Sequence, residues 1–222
     1  MYGIDVASMR LGNLDREVLK FALDWKGPKF AVEFGAGSGR LSIILAMLGY
    51  RVYIYEMGEV GFLSLAETFK LKIFHKKMDI RELKASDLPE KISIFVAERV
   101  LHFLRFQESK KILAKVIRRM EKGGRIFLSL SGINSPIGEG YKHRDLPVED
   151  RFCLPSEEVR EKFKIDVPVC LYELEDLRKL FEGFRVREVK VRKTAFGNVE
   201  GIFEKLDSNR IINAHGKWKG DL

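Results

Sequence analysis

Long apolar runs are missing from this chain. None approaches the roughly 20 residues that a membrane-spanning helix needs, and residues 1–10 hold no apolar core of the kind a secretory signal requires. A soluble, cytoplasmic protein with no membrane partner is therefore expected. Cysteine is scarce too. Cys153 and Cys170 are the only two, and they form no CxxC or other metal-ligand spacing. They read as reduced thiols rather than a disulfide framework, and no metal site is expected. Gln107 is the sole glutamine in a chain rich in Lys, Arg and Glu, a balance that leans toward a thermophilic source. Internal repeats and low-complexity segments are absent, and nothing marks an oligomeric state.

Charge is present in excess of one sign, but it is spread out. Forty Lys and Arg face 32 Asp and Glu, a formal net charge of +8 over 222 residues. Bases and acids alternate in most segments, as in residues 151–164, which is the pattern of a solvated face. An RNA partner is compatible with this charge and is not demanded by it.

The length fits one large domain. Asn13 stands where a residue could cap a helix running to Trp25, with Leu14, Val18, Leu19 and residues 21–23 on its apolar side. After Gly27 and Pro28 the chain alternates. A strand at 30–34 precedes a helix at 39–48 closed by Gly49. Next come a strand at 51–55, a helix at 62–71 and a short strand at 72–75. Residues 92–97 are almost continuously apolar, as in a strand buried on both faces. A helix at 107–120, stopped by Gly123 and Gly124, leads to a strand at 125–130. Residues 131–155, rich in Gly, Pro, Ser and charge, break the alternation; a loop that long is usually functional or mobile. Helices at 156–163 and 173–181 and strands at 184–191 and 210–218 complete the reading, with 195–209 unassigned. Strand and helix in alternation predict an α/β fold, a mostly parallel sheet with helices on both faces.

One segment carries most of the functional information. An apolar strand runs into Glu33, Phe34, Gly35, Ala36, Gly37, Ser38 and Gly39, and an apolar helix follows at once. Glycine tolerates positive φ and lets a ligand approach the backbone. The helix N-terminus adds unpaired N–H groups. Such a turn suits a nucleotide-like cofactor. The dinucleotide fingerprint places its third glycine at the sixth position; here that position is Arg40. This disfavours an NAD-dependent oxidoreductase.

With an acid two residues before the first glycine, residues 33–39 resemble motif I of the class I S-adenosylmethionine-dependent methyltransferases. The resemblance is good over residues 28–131 and holds in outline elsewhere. It implies a Rossmann-like, seven-stranded, mostly parallel sheet ending in an antiparallel strand pair within 184–222. It also implies a cofactor-binding half at 28–131 and a substrate-covering insertion with helices at 132–183. S-adenosylmethionine is the implied cofactor. The loop glycines would lie against its methionine part, and Glu33 would hold the amino acid end. Glu56, seventeen residues after Gly39, ends the second strand, where a carboxylate can accept two hydrogen bonds from a ribose diol. Met57 could pack on adenine. Asp79 could accept from the adenine amine and the Ile80 N–H donate to a ring nitrogen. Ala97 and Glu98 close the fourth strand over the expected cofactor. Residues 98–104 also look like the corresponding region of small-molecule members, including tellurite-resistance-type methyltransferases.

The cofactor already activates its methyl group, so the protein must align an acceptor and exclude water. A base is needed only for an acceptor protonated at neutral pH. Glu98, His102, Tyr141 and His143 are the candidates. His102 reads equally as a packed helix histidine, and Tyr141 and His143 as exposed loop side chains. Arg10 could reach the cofactor carboxylate or simply face solvent. A small-molecule acceptor is the leading expectation. An RNA or protein methyltransferase is the alternative, and a non-catalytic cofactor-binding module a further one. Strand four ends in Val-Ala-Glu-Arg, without the Asn/Asp-Pro-Pro-aromatic signature of base N-methylation and without a Pro-Cys nucleophile.

Overall fold

A computed structural model describes residues 11–207 of the chain. Its elements run α1 (Asn13–Asp24), β1 (Phe30–Phe34), α2 (Arg40–Met47), β2 (Arg51–Glu56), α3 (Leu63–Thr68), β3 (Ile73–Lys77), β4 (Ile92–Glu98), α4 (Phe106–Arg119), β5 (Met120–Leu130), α5 (Glu157–Phe163), α6 (Leu174–Phe181), β6 (Val186–Lys193) and β7 (Val199–Lys205). They form one seven-stranded sheet in the order β3-β2-β1-β4-β5-β7-β6. Strands β1 to β5 are parallel, and β7 runs antiparallel to both its neighbours. The fold expectation holds. From β1 the chain steps outward to β2 and β3, then returns to β4 on the other side of β1. That reversal opens a crevice above the carboxyl ends of β1 and β4.

Period-two alternation divides the core. Val32, Phe34, Phe95, Ala97 and Leu128 point to one face, beneath Leu113, Val116 and Ile117 of α4 and Leu177 and Leu180 of α6. Ala31, Ile54, Ile94, Val96 and Phe127 point to the other, beneath Leu14 and Val18 of α1 and Leu41 and Leu45 of α2. With both faces covered, the central strands are apolar throughout, as β4 is.

Several sequence expectations need correction. Gly12, not Asn13, caps α1, and its N–H donates to Asp15 Oδ2 at 2.7 Å. Gly123 and Gly124 do not separate helix from strand. Chain direction changes at Met120, and the glycines lie within β5, where pairing with β4 skips from Met120 to Arg125. The second strand of the closing pair is β7, inside the stretch left unassigned, while 210–218 and Arg10 lie outside the described residues. No helix among the described residues is long and apolar enough to cross a membrane.

The irregular segment 131–155 is packed, not loose. Ile133 and Tyr141 join Ile165, Val169 and Leu171 in a third apolar cluster. Backbone bridges tie Gly132 to Tyr172 and Cys153 to Val169. Arg151 is 6 % exposed and binds the Leu146 and Leu171 carbonyls and Asp176 Oδ2 of α6. Removing one partner of such a buried pair strands the other. Arg151→Met is therefore expected to lower stability by about 3 kcal/mol in urea unfolding. A change below about 0.5 kcal/mol, the scale of surface substitutions, would show that the segment is not anchored there.

Candidate active site

A cleft of about 1300 Å³ lies over the carboxyl ends of the strands. The same alternation that sorts the core places its floor. Glu33 lies on the face of Ala31, Glu98 on that of Ile94 and Val96, and Ser129 on that of Phe127. Pairing sets Glu98 beside Ser129 and Ser129 beside Glu200 of β7. Above this face α1 supplies Asp15 and α2 supplies Arg40 and Ser42. Three strands and one helix thus bring four acids to one place.

These acids are held unequally. Asp15 is 4 % exposed and accepts from Arg40 Nη2 at 3.0 Å as well as from Gly12. Glu200 pairs with Arg192 at 2.6 Å. Glu33 is 7 % exposed and accepts from the Ser42 hydroxyl. Burial pushes the Glu33 carboxyl up to about 7, against the Ser42 hydrogen bond. Burial, then Asp15, Glu33 and Glu200, push Glu98 up to about 8, with Arg99 opposing. Glu98 Oε1 is buried with no hydrogen-bond partner among the described residues.

The glycine turn forms one wall. Gly35, Gly37 and Gly39 all have positive φ. A Cβ on Gly35 would overlap Val100, so this position accepts glycine alone. Glu56 ties the turn to β2: Oε2 accepts from Gly37 N–H at 3.2 Å, and Oε1 from Met57 and Gly58 at 2.7 and 3.0 Å. A carboxylate offers about four lone-pair sites, so Glu56 retains one, on Oε2. At the far end Asp79 caps a short turn and accepts from the Arg81 N–H and guanidinium, which hold its carboxyl below the usual range. Ile80 and Met57 line the cleft beside it.

Opposite the acids, His102 is 2 % exposed and neither ring nitrogen has a partner among the described residues. Burial and then Arg99 hold it down to about 3, so the imidazole is neutral. It therefore combines the two sequence readings, being packed and also lining the cleft. Its ring lies 4.1 Å from that of Phe103, which packs with Ile137, Phe163 and Ile165. Those three side chains also line the cleft, as does Ser131.

Of the expected site residues, Glu33, Gly35, Ala36, Gly37, Glu56, Met57, Asp79, Ile80, Glu98 and His102 border the cleft. Five do not. Phe34 is buried between Tyr55 and Phe95, Ala97 is in the core, and Gly39 starts α2 beneath the turn. Tyr141 and His143 are removed as candidate bases. The Tyr141 hydroxyl donates to the Val169 carbonyl at 2.6 Å, and burial raises its pKa further. His143 Nδ1 contacts the Asp150 carbonyl at 3.2 Å, away from the cleft. Sequence reading missed Asp15, Arg40, Ser42 and Glu200, together with the β6–β7 turn, whose Thr194 and Asn198 border the cleft. Only Asp15 carried a local signal, as an acid in the first turn of a helix.

A model of the family described as tellurite resistance protein TehB matches residues 10–165. No curated protein matches the chain. Among solved structures, TehB from Haemophilus influenzae shares 16 % identity at a TM-score of 0.60, over 90 % of this chain and 64 % of that one. The chain therefore spans less than two thirds of that relative. A 1,6-didemethyltoxoflavin-N1-methyltransferase from Burkholderia thailandensis, with bound substrate and S-adenosylhomocysteine, shares 18 % at a TM-score of 0.62, over 91 % and 80 %. An S-adenosylmethionine-dependent methyltransferase from Clostridium acetobutylicum shares 11 % at 0.64, over 87 % and 91 %.

The buried acids make stability depend on pH. Raised folded-state pKa values mean that the native state binds more protons than the unfolded chain between the ordinary value of 4.5 and about 8. Their contribution is full below 4.5 and lost as pH rises through 7 to 8. The Tm of the ligand-free protein should include a fall over this range, and Glu98→Gln should flatten the fall. An unaltered pH profile in Glu98→Gln would mean that Glu98 is ionised and solvated.

Proposed function

We propose that this chain, which belongs to the tellurite resistance protein TehB family, is an S-adenosylmethionine-dependent methyltransferase acting on a small molecule held beyond Glu98. The observation that carries this reading is the continuity of the cleft. It runs from Asp79 and Ile80, past the glycine turn and the acidic floor, to a pocket walled by Phe163 and Ile165.

The residues fit the cofactor. Gly35, at positive φ, lets Val100 close directly on the backbone of the turn, which shapes the wall the cofactor would lie along. Glu33 and Glu98, pushed toward neutrality by burial, can ionise to meet a ligand with an ammonium and a sulfonium group. When bound, the cofactor supplies a methyl group already activated on sulfur. The chain's own residues do the rest. Glu56 Oε2, with its single open lone pair, takes one ribose hydroxyl directly, where two were expected from the sequence. The Ile80 N–H and Asp79 frame the adenine, and Met57 covers its face. Glu33, kept close to its titration point, ionises opposite the ammonium. The apolar wall excludes water from the transfer. The toxoflavin methyltransferase, which shares this fold, supports a compact acceptor. The diffuse surface charge gives no phosphate-tracking stripe to favour RNA.

Calorimetry should show S-adenosylmethionine or S-adenosylhomocysteine binding in the micromolar range, and NAD far more weakly. Glu56→Gln should cost about 1.5–3 kcal/mol of that affinity, the range for a hydrogen bond to a charged group. NAD binding without adenosylmethionine binding would overturn the assignment. Methyl label entering RNA, in a complex that weakens steeply with salt, would replace the small-molecule reading with a nucleic-acid one.

A further inference from the structure

We propose that the pocket beyond Glu98 selects a ring-bearing amine, which enters as its ammonium ion and hands its proton to Glu98, with His102 and Ser131 completing its polar contacts. The proposal rests on the methyltransferase reading above and names its acceptor class.

Three observations converge. First, Glu98 Oε1, both nitrogens of His102 and Ser131 Oγ are buried at the cleft with no partner among the described residues. Buried polar atoms are normally satisfied; here the cleft-lining side chains left open are placed to receive a ligand. Second, carboxyls outnumber guanidiniums around Glu98, which with Asp15, Glu33 and Glu200 makes four acids against Arg40, Arg99 and Arg192. Asp15 from α1, Glu33 from β1 and Glu200 from β7 act on it in one sense, and Arg99 alone in the other. Arg40 and Arg192 are paired with Asp15 and Glu200, which leaves Glu33 and Glu98 as the carboxyls free to ionise beside an entering cation. The neutral His102 adds no positive charge. A cation entering there draws the raised carboxyls to their ionised forms, which an anion cannot do. Third, the wall that continues from His102 is aromatic and aliphatic, with Phe103, Phe163 and Ile165. It favours a flat ring, and ring faces favour a nearby cation.

Glu98 then has a defined task. A carboxyl raised to about 8 approaches the proton affinity of an amine, which is the condition for efficient proton transfer. On entry the ammonium favours the ionised carboxylate, and the Glu98 proton leaves to solvent. One ammonium N–H bond then breaks as an O–H bond forms on Glu98. The freed nitrogen lone pair takes the methyl group, and the carbon–sulfur bond breaks with its electron pair left on sulfur. The product is the N-methylated ammonium, and Glu98 returns its proton to solvent.

The test uses the purified chain with methyl-labelled S-adenosylmethionine. Benzylamine, phenethylamine and histamine are offered in parallel with benzoate, thiophenol, selenite and tellurite. Label is expected on amine nitrogen. Glu98→Gln should lower kcat by about 10²- to 10⁴-fold, the usual contribution of a positioned base. Independently of turnover, calorimetry of benzylamine binding to the S-adenosylhomocysteine complex at pH 7 in buffers of different ionisation enthalpy should show proton release. In Glu98→Gln that release should vanish and affinity fall at least tenfold, with an unchanged circular dichroism spectrum. Label confined to an oxyanion, thiol or carboxylate would overturn the amine assignment while leaving the methyltransferase reading intact. So would cofactor binding with no amine bound or labelled, or amine binding unaffected by Glu98→Gln. Failure of the cofactor itself to bind would overturn both.

Discussion

Carboxylates held out of water at the carboxyl ends of two adjacent parallel strands set the terms for the rest of this structure. Glu33 and Glu98 stand on the same sheet face because each follows the alternation of its strand. Desolvation penalises their charged forms, and mutual repulsion adds to the penalty. The surrounding structure answers with Ser42 on Glu33 and Arg40 on Asp15. Among the described residues it leaves Glu98 without an ion pair. Burying such a group costs stability, and strongly shifted carboxyls of this kind cluster at functional sites.

The glycine turn depends on the same neighbourhood. Its shape is secured less by its own residues than by Glu56, whose carboxylate gathers three backbone N–H groups from two loops. One side chain therefore orders the turn and still keeps a lone pair facing the cleft. The far wall of the cleft is assembled differently. The segment after β5 is anchored through Arg151 and Tyr141 to α6 and to the Val169 strand-like stretch. The apolar wall is accordingly a rigid part of the fold.

The class of fold and the part of the cleft around the glycine turn were legible in the sequence because both depend on short-range pattern. Buried parallel strands must be apolar throughout, a glycine turn must sit where strand meets helix, and an acid must end the next strand. Each of these occupies a few consecutive residues, so Glu33, Glu56, Asp79 and Glu98 could be placed by order along the chain. The same local logic misled at Asn13 and at Gly123, where a capping type and a helix-stopping type had more than one way to be satisfied.

Residues that meet only across the sheet carried no such pattern. Glu200 reaches Glu98 because β7 inserts antiparallel beside β5, and Asp15 because α1 packs over the face of Ile94 and Val96. Tyr141 is tied into the segment after β5, and His102 keeps unpartnered ring nitrogens at the cleft, through burial and partners that sequence spacing does not encode. The sequence by itself thus determined the strand–helix alternation, the glycine turn and the acids that end its strands, since period and turn chemistry act over a few residues. The tertiary structure alone decided which acids share one desolvated face and which polar atoms remain unpaired, because electrostatic energy depends on distance in space and on the exclusion of water.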